Sequence, residues 1–199
     1  MQNRLELLNL FEEKKLTNKG VEVGSFKGEY AKEILKVWSG NLYLVDVWYE
    51  LESNQYVDCS NQVDYENVIL QCCKNINGNE DRCFMIRSNS ENGVQLFNDN
   101  SLDFVYIDAN HKYEFVKKDI EMWFPKVRSG GIISGHDYLM MDWYADKNFT
   151  QNGKDKFIYF NSNFIGEFGV NPAVDEFCAQ HNYTLNLTNE WFGSWFIIK

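Results

Sequence analysis

The chain has 199 residues, 44% apolar and 16% aromatic, which points to one core-forming domain and argues against disorder. Lys and Arg number 19 against 29 Asp and Glu, a formal charge of −10 with no basic block, so a phosphate-backbone surface is not expected and a small or neutral ligand is. No apolar run approaches the ~20 residues that span a bilayer.

The N-terminus, MQNRLELLNLFEEKK, mixes charge into every turn, unlike a signal peptide or an anchor. Its Leu5, Leu7, Leu8, Leu10 and Phe11 suggest a short amphipathic helix. Gly20–Gly24 (GVEVG) is short, β-branched and flanked by glycines, as a buried strand is. Gly28 to Val37 carries Tyr30, Ala31, Ile34, Leu35 and the following Trp38 at helical spacing. Leu42–Val47 reads as a second strand and Val63–Cys73 as a second helix. Cys83–Ile86 is a third strand, followed by a short helix around Asn92–Phe97. Leu102–Ile107 is a fourth strand, Tyr113–Val127 a strongly patterned helix, and Ile132-Ile133 a fifth strand. Pro125 and Gly130-Gly131 are expected to end that helix and open that strand.

Strands alternating with helices imply an α/β fold with a parallel sheet covered on both faces. Right-handed crossovers then place the strand C-termini on one edge, where ligands bind in open sheets. Residues 138–169 are rich in aromatics without a clean period, and linkers are poor in aromatics. They read as a lid or acceptor-binding insert in a single domain spanning 1–199. Within them Met140, Met141, Trp143 and Tyr144 suit either a pocket floor or packing of the lid. Asn171-Pro172 opens a helix running to about His181, a solvated cap. Tyr183–Leu187 and Ser194–Ile198 read as a closing hairpin. Five cysteines, Cys59, Cys72, Cys73, Cys83 and Cys178, lack CxxC spacing and read as free thiols of a reducing, cytoplasmic compartment.

In VEVGSFKGEY, Gly24 ends a strand and Gly28 opens a helix. Such a turn lets a ligand approach the main chain and the free N–H groups of a helix start, although tight packing explains the glycines equally well. Asp46 ends the second strand, roughly twenty residues beyond Gly24, where a carboxylate accepts the hydroxyls of a ribose. Trp48 follows, placed to cover an adenine. Asp108, His111, His136 and Asp137 stand at the ends of strands four and five.

In order and spacing these motifs resemble class I S-adenosylmethionine-dependent methyltransferases. Glu22-x-Gly24-x-x-x-Gly28 looks like their first motif, with Ser25 and Phe26 inside the turn; Asp46 looks like their ribose-binding acid. Arg87-Ser-Asn-Ser-Glu91 looks like the adenine-reading loop, which points to Asn89 and Ser90. The resemblance implies a Rossmann-like sheet of seven mostly parallel strands, the last antiparallel. Leu102–Tyr138 is similar to the branch of small-molecule and sugar O-methyltransferases that includes macrocin O-methyltransferase-like enzymes, and more distantly catechol O-methyltransferase. It implies Asp108, His136 and Asp137 as ligands of a divalent cation, Mg²⁺ or Mn²⁺, Asp108 also beside the cosubstrate, and His111 at the position of the base. His-Asp stands where the catechol enzyme has Asp-Asn, and His111 where it has lysine.

The chemistry of methyl transfer fits these residue types. A methyl sulfonium is already a strong electrophile, so the enzyme must supply an ionised oxygen, by a cation that lowers the hydroxyl pKa or by a general base. Carboxylates suit Mg²⁺, and imidazole titrates near neutral pH. The expected partner is a small-molecule or glycan acceptor, with a homodimer left open. Two rivals stand beside this reading: a nucleotide-dependent oxidoreductase on a Rossmann sheet, against which the missing third glycine counts, and a non-catalytic binding module with this fold.

Overall fold

The computed structural model describes residues 1–49, 63–139, 149–151, 157–161 and 164–199. Asn3 caps the first helix, accepting from the N–H groups of Leu5 and Glu6, and the amphipathic N-terminus forms two short helices, α1 (Arg4–Leu7) and α2 (Asn9–Glu13). Then come β1 (Lys19–Val23), α3 (Glu29–Val37), β2 (Asn41–Asp46), α4 (Tyr65–Ile76) and β3 (Cys83–Arg87). The short α5 (Ser90–Gly93) and a 3₁₀ turn precede β4 (Leu102–Ile107), α6 (Tyr113–Trp123) and β5 (Val127–Leu139). Three short strands, β6 (Phe149–Gln151), β7 (Phe157–Asn161) and β8 (Phe164–Phe168), lie in the segment read as an insert. The chain closes with α7 (Val170–His181), β9 (Asn186–Leu187) and β10 (Phe192–Ile198).

The main sheet has seven strands in the order β3-β2-β1-β4-β5-β10-β9. β1 to β5 are parallel, and β10 runs antiparallel to β5 and to β9. This is the Rossmann-like mixed sheet that the resemblance implied. The closing hairpin is uneven: β9 keeps only two residues, whereas β10 begins at Phe192, ahead of the expected Ser194. β6, β7 and β8 form a separate antiparallel sheet. Met140 to Tyr144 lie outside the described residues, as does Cys59; Cys72, Cys73, Cys83 and Cys178 are free thiols.

The central strand shows why the fold forms. Every residue of β4, LDFVYI, is buried, as a parallel strand covered on both faces requires. Successive side chains alternate: Phe104 and Tyr106 enter a core with α1 to α4, while Val105 and Ile107 enter one with α6 and α7. In the first core Phe104 stacks on Phe11 with centroids 4.4 Å apart and meets Trp38 edge-on at 4.9 Å. Rings in these arrangements add about 0.5–1.5 kcal/mol per pair beyond the area they bury.

One boundary differs from the sequence reading. Gly130-Gly131 does not precede β5 but lies inside it, at an irregularity between the pairs Leu102–Val127 and Phe104–Ile132. Gly130 has φ +76°, and a Cβ on Gly131 would come within 2.6 Å of the Asp103 carbonyl. The glycines kink a continuous strand.

Candidate active site

Four neighbouring strands, β2, β1, β4 and β5, each carry one carboxyl group at or next to the C-terminal end: Asp46, Glu22, Asp108 and Asp137. The crevice above these ends is where open sheets bind ligands. A cavity of about 360 Å³ opens there, within the range of small-ligand sites. Val23, Gly24, Asp46, Asn89, Ser90 and Ala109 are among the residues around it.

Gly24 makes the crevice possible. It has φ +87°, and a Cβ would lie 2.1 Å from the Asp108 carbonyl oxygen, so β1 and the exit of β4 meet through a residue without a side chain. Gly28, φ +70°, caps α3. Asp46 joins the turn to the cavity: its two oxygens accept from the N–H groups of Phe26 and Trp48, each at 2.8 Å, and the residue also borders the cavity. Burial raises the Asp46 pKa, and those two backbone donors pull it back. Glu22 is 2% exposed, and its Oε2 has no hydrogen-bond partner among the described residues. Burial, with nearby Asp108 adding, drives its pKa well above the usual range. Ser25 is buried, its hydroxyl donating to the Glu22 carbonyl, whereas Phe26 is exposed at φ +45°.

Trp48 departs from its expected place over an adenine. Its ring is 2% exposed among the core residues of α1 to α4, with Nε1 donating to the Phe26 carbonyl at 2.8 Å. A φ of +44° at Trp48 turns the chain so that Tyr49, not Trp48, borders the cavity.

At the other end, Asp108, His111 and Asp137 bring three ligand atoms within 4.8 Å of one another. His111 Nε2 lies 2.8 Å from Asp137 Oδ2 and 3.5 Å from Asp108 Oδ1. Burial disfavours the Asp137 anion, but the charges and hydrogen bonds of His111 and His136 outweigh it and hold Asp137 far below the usual range. His136 was expected beside Asp108 and Asp137 as a cation ligand. The structure leaves it outside the converging group, its Nδ1 3.2 Å from Asp137 Oδ1, and it borders a small void together with His111, Ile107 and Trp195. His111 takes the place facing both carboxylates. Asp137 itself has φ +60°, a strained backbone of the kind found at functional sites. Arg4, reaching over from α1, places its guanidinium 3.9 Å from Asp108 Oδ2. His181, expected as a cap, is exposed in the last turn of α7 with its ring 4.6 Å from that of Phe177, and Asn182 is the capping residue.

Sequence reasoning missed Tyr49, Phe115 and Asp119, which border the cavity. For Asp119 a signal existed: it falls on the buried stripe Val116, Ile120, Trp123 of α6, where an acid is out of place.

A family profile described as a methyltransferase domain matches residues 21–138, more than half of the chain. No curated protein matches significantly. Among solved structures, the chain resembles a Staphylococcus aureus protein assigned as a caffeoyl-CoA O-methyltransferase, with TM-score 0.66, 17% identity, and 100% and 85% of the two chains covered. An O-methyltransferase from Bacillus cereus in complex with S-adenosylhomocysteine aligns with TM-score 0.59 at 12% identity, over 98% and 80% of the chains. A Clostridium thermocellum protein assigned as an rRNA methylase aligns with TM-score 0.63 at 13% identity, over 100% and 97%. The glycine turn, the sheet order and the profile match agree, and the chain belongs to the methyltransferase domain family.

Proposed function

We propose that the protein transfers a methyl group from S-adenosylmethionine to a hydroxyl of a small molecule or sugar. The observation that carries this is the set of carboxyl groups Asp46, Asp108 and Asp137 at the C-terminal ends of β2, β4 and β5. Such a set favours a cationic ligand, and the cosubstrate brings a sulfonium and an ammonium. Asp46 takes the ribose hydroxyls, and Gly24 lets the sulfur pass close to the main chain. The methyl then faces Asp108, His111 and Asp137, where the acceptor oxygen must lie in line with it. Holding the two reactants so contributes up to about 7–11 kcal/mol in favourable cases.

Two carboxylates and an imidazole whose donor atoms converge within 4.8 Å fit a divalent cation. Bound there, Mg²⁺ or Mn²⁺ would lower the pKa of the acceptor hydroxyl. The 2.8 Å His111–Asp137 contact also supports a cation-free variant. In that case His111 takes the hydroxyl proton, and the imidazolium that forms is stabilised by Asp137 and Asp108. Chelation separates the two. Activity abolished by EDTA and restored by Mg²⁺ makes His111 a ligand; activity that persists in EDTA and is lost in His111→Gln makes it the base.

Calorimetry with S-adenosylhomocysteine tests the cosubstrate. Wild-type protein should bind it, and Asp46→Ala should lose at least about tenfold in affinity, the worth of hydrogen bonds to a charged acceptor. Undiminished binding by the variant would contradict the assignment.

A further inference from the structure

The cavity runs from Ala109 and Asn110 beside β4, past Gly24 and Asp46, to the Ser88–Glu91 turn after β3. With the reacting end at Asp108 and the ribose at Asp46, the base falls at the β3 end. There α6 presents Phe115 and Asp119, four residues apart and so on one helix face, and both border the cavity. Tyr49 borders it too, and its ring carries the Arg87 guanidinium 5.9 Å from the centroid. Arg87 also donates to the carbonyls of Val47 and Trp48, which fixes the turn that holds Tyr49.

Asp119 is 5% exposed, unusual for a carboxylate without a cation. The nearby Lys118 ammonium is paired with Glu91 instead. Asp119 Oδ1 accepts the Ser90 hydroxyl, whose oxygen in turn accepts from Trp123 Nε1 at 2.8 Å. Asp119 Oδ2 has no hydrogen-bond partner among the described residues. On a buried residue beside a cavity, a carboxylate oxygen without a protein donor calls for one from the ligand.

We propose that Asp119 selects the adenine base, accepting a hydrogen bond from its 6-amino group, while the rings of Phe115 and Tyr49 flank the purine. This rests on the S-adenosylmethionine reading above. A base with a carbonyl at position 6, such as hypoxanthine, would set oxygen against oxygen and be rejected. The burial that raises the Asp119 pKa to about 6 means the residue is held at a cost to the fold, as residues kept for binding are.

The test is calorimetry on the full chain with two ligands, S-adenosylhomocysteine and S-inosylhomocysteine, which differ at position 6. Wild-type protein should prefer the adenine ligand by about 10- to 100-fold, the range of a buried hydrogen bond left unmade. In Asp119→Asn, whose amide offers both donor and acceptor, the preference should shrink to within about threefold. The variant's unfolding temperature at pH 8 should equal or exceed that of the wild type. Trp123→Phe, which removes a donor to Ser90 from outside the cavity, should lower the unfolding temperature and leave the preference intact. Equal binding of both ligands by the wild type, or an undiminished preference in Asp119→Asn, would overturn the assignment while leaving the cosubstrate reading in place. Failure of the wild type to bind S-adenosylhomocysteine at all would remove both.

Discussion

Asp137 is the residue on which the proposed chemistry turns, because its two oxygens face His111 at 2.8 Å and His136 at 3.2 Å. Asp137→Asn removes the charge and keeps the shape. Turnover should fall by about 10²–10⁴-fold, with S-adenosylhomocysteine affinity within about threefold of wild type. A parallel loss of both would make Asp137 a binding residue instead. At this scale the sequence was informative where polar residues interrupt or follow an apolar run: Asp108, His111 and Asp137 stand out in that way, and the structure brings them together. It was uninformative where a neighbour's backbone decided the outcome. Trp48 and Tyr49 are adjacent aromatics, and only the left-handed turn at Trp48 settles which faces the cavity. His136 and His111 both stand beside an aspartate, and only the structure shows which one faces two carboxylates.

Among the elements, the β1–α3 turn has the least freedom. Gly24→Ala must place a Cβ against the Asp108 carbonyl and hold a left-handed backbone. We expect a loss of at least about 2 kcal/mol in urea unfolding, with activity reduced as well because Asp108 is displaced. A variant as stable and active as wild type would show that β1 and β4 do not meet so closely. The glycine pattern alone left packing and ligand approach as alternatives; the structure shows the packing, with Gly24 also bordering the cavity. Element identities were legible because short β-branched apolar runs alternate with stretches of helical period from β1 to β5. The bulge at Gly130-Gly131 was not, since a glycine pair signals a break in a strand as readily as a kink within one. The three strands β6 to β8 also escaped notice, for the aromatics of 138–169 show no alternation.

For the molecule as a whole, acidity sets the pH response. Burial raises the carboxyl pKa values of Glu22, Asp46 and Asp119, so the folded state holds these protons more tightly than the unfolded state does. Such groups destabilise the fold above their folded pKa values, and that penalty disappears as pH falls towards the unfolded values. For Asp119, about 6 in the fold against 3.8, the difference is on the order of 3 kcal/mol. His136 acts in the same direction. Burial opposes its charge, but hydrogen bonding to Asp137 and the nearby carboxylates raises its pKa, so its contribution is fully present below its unfolded pKa and is lost as pH rises. Asp137 acts the other way, and only at the acid end, where its stabilisation is lost as pH falls below the unfolded carboxylate range. Lower pH also relieves the repulsion of a chain with net charge −10. Thermal unfolding should therefore show greater stability near pH 5 than at pH 8, with a decline below about pH 4. A monotonic rise from pH 5 to pH 8 would mean that the buried acids do not dominate.

The most direct test of the account is a crystal structure with S-adenosylhomocysteine bound. The sulfur should lie at the exit of β4, facing Asp108, His111 and Asp137, with the ribose on Asp46 and the base beside Asp119. A sulfur lodged elsewhere, with those three side chains turned away from it, would contradict it.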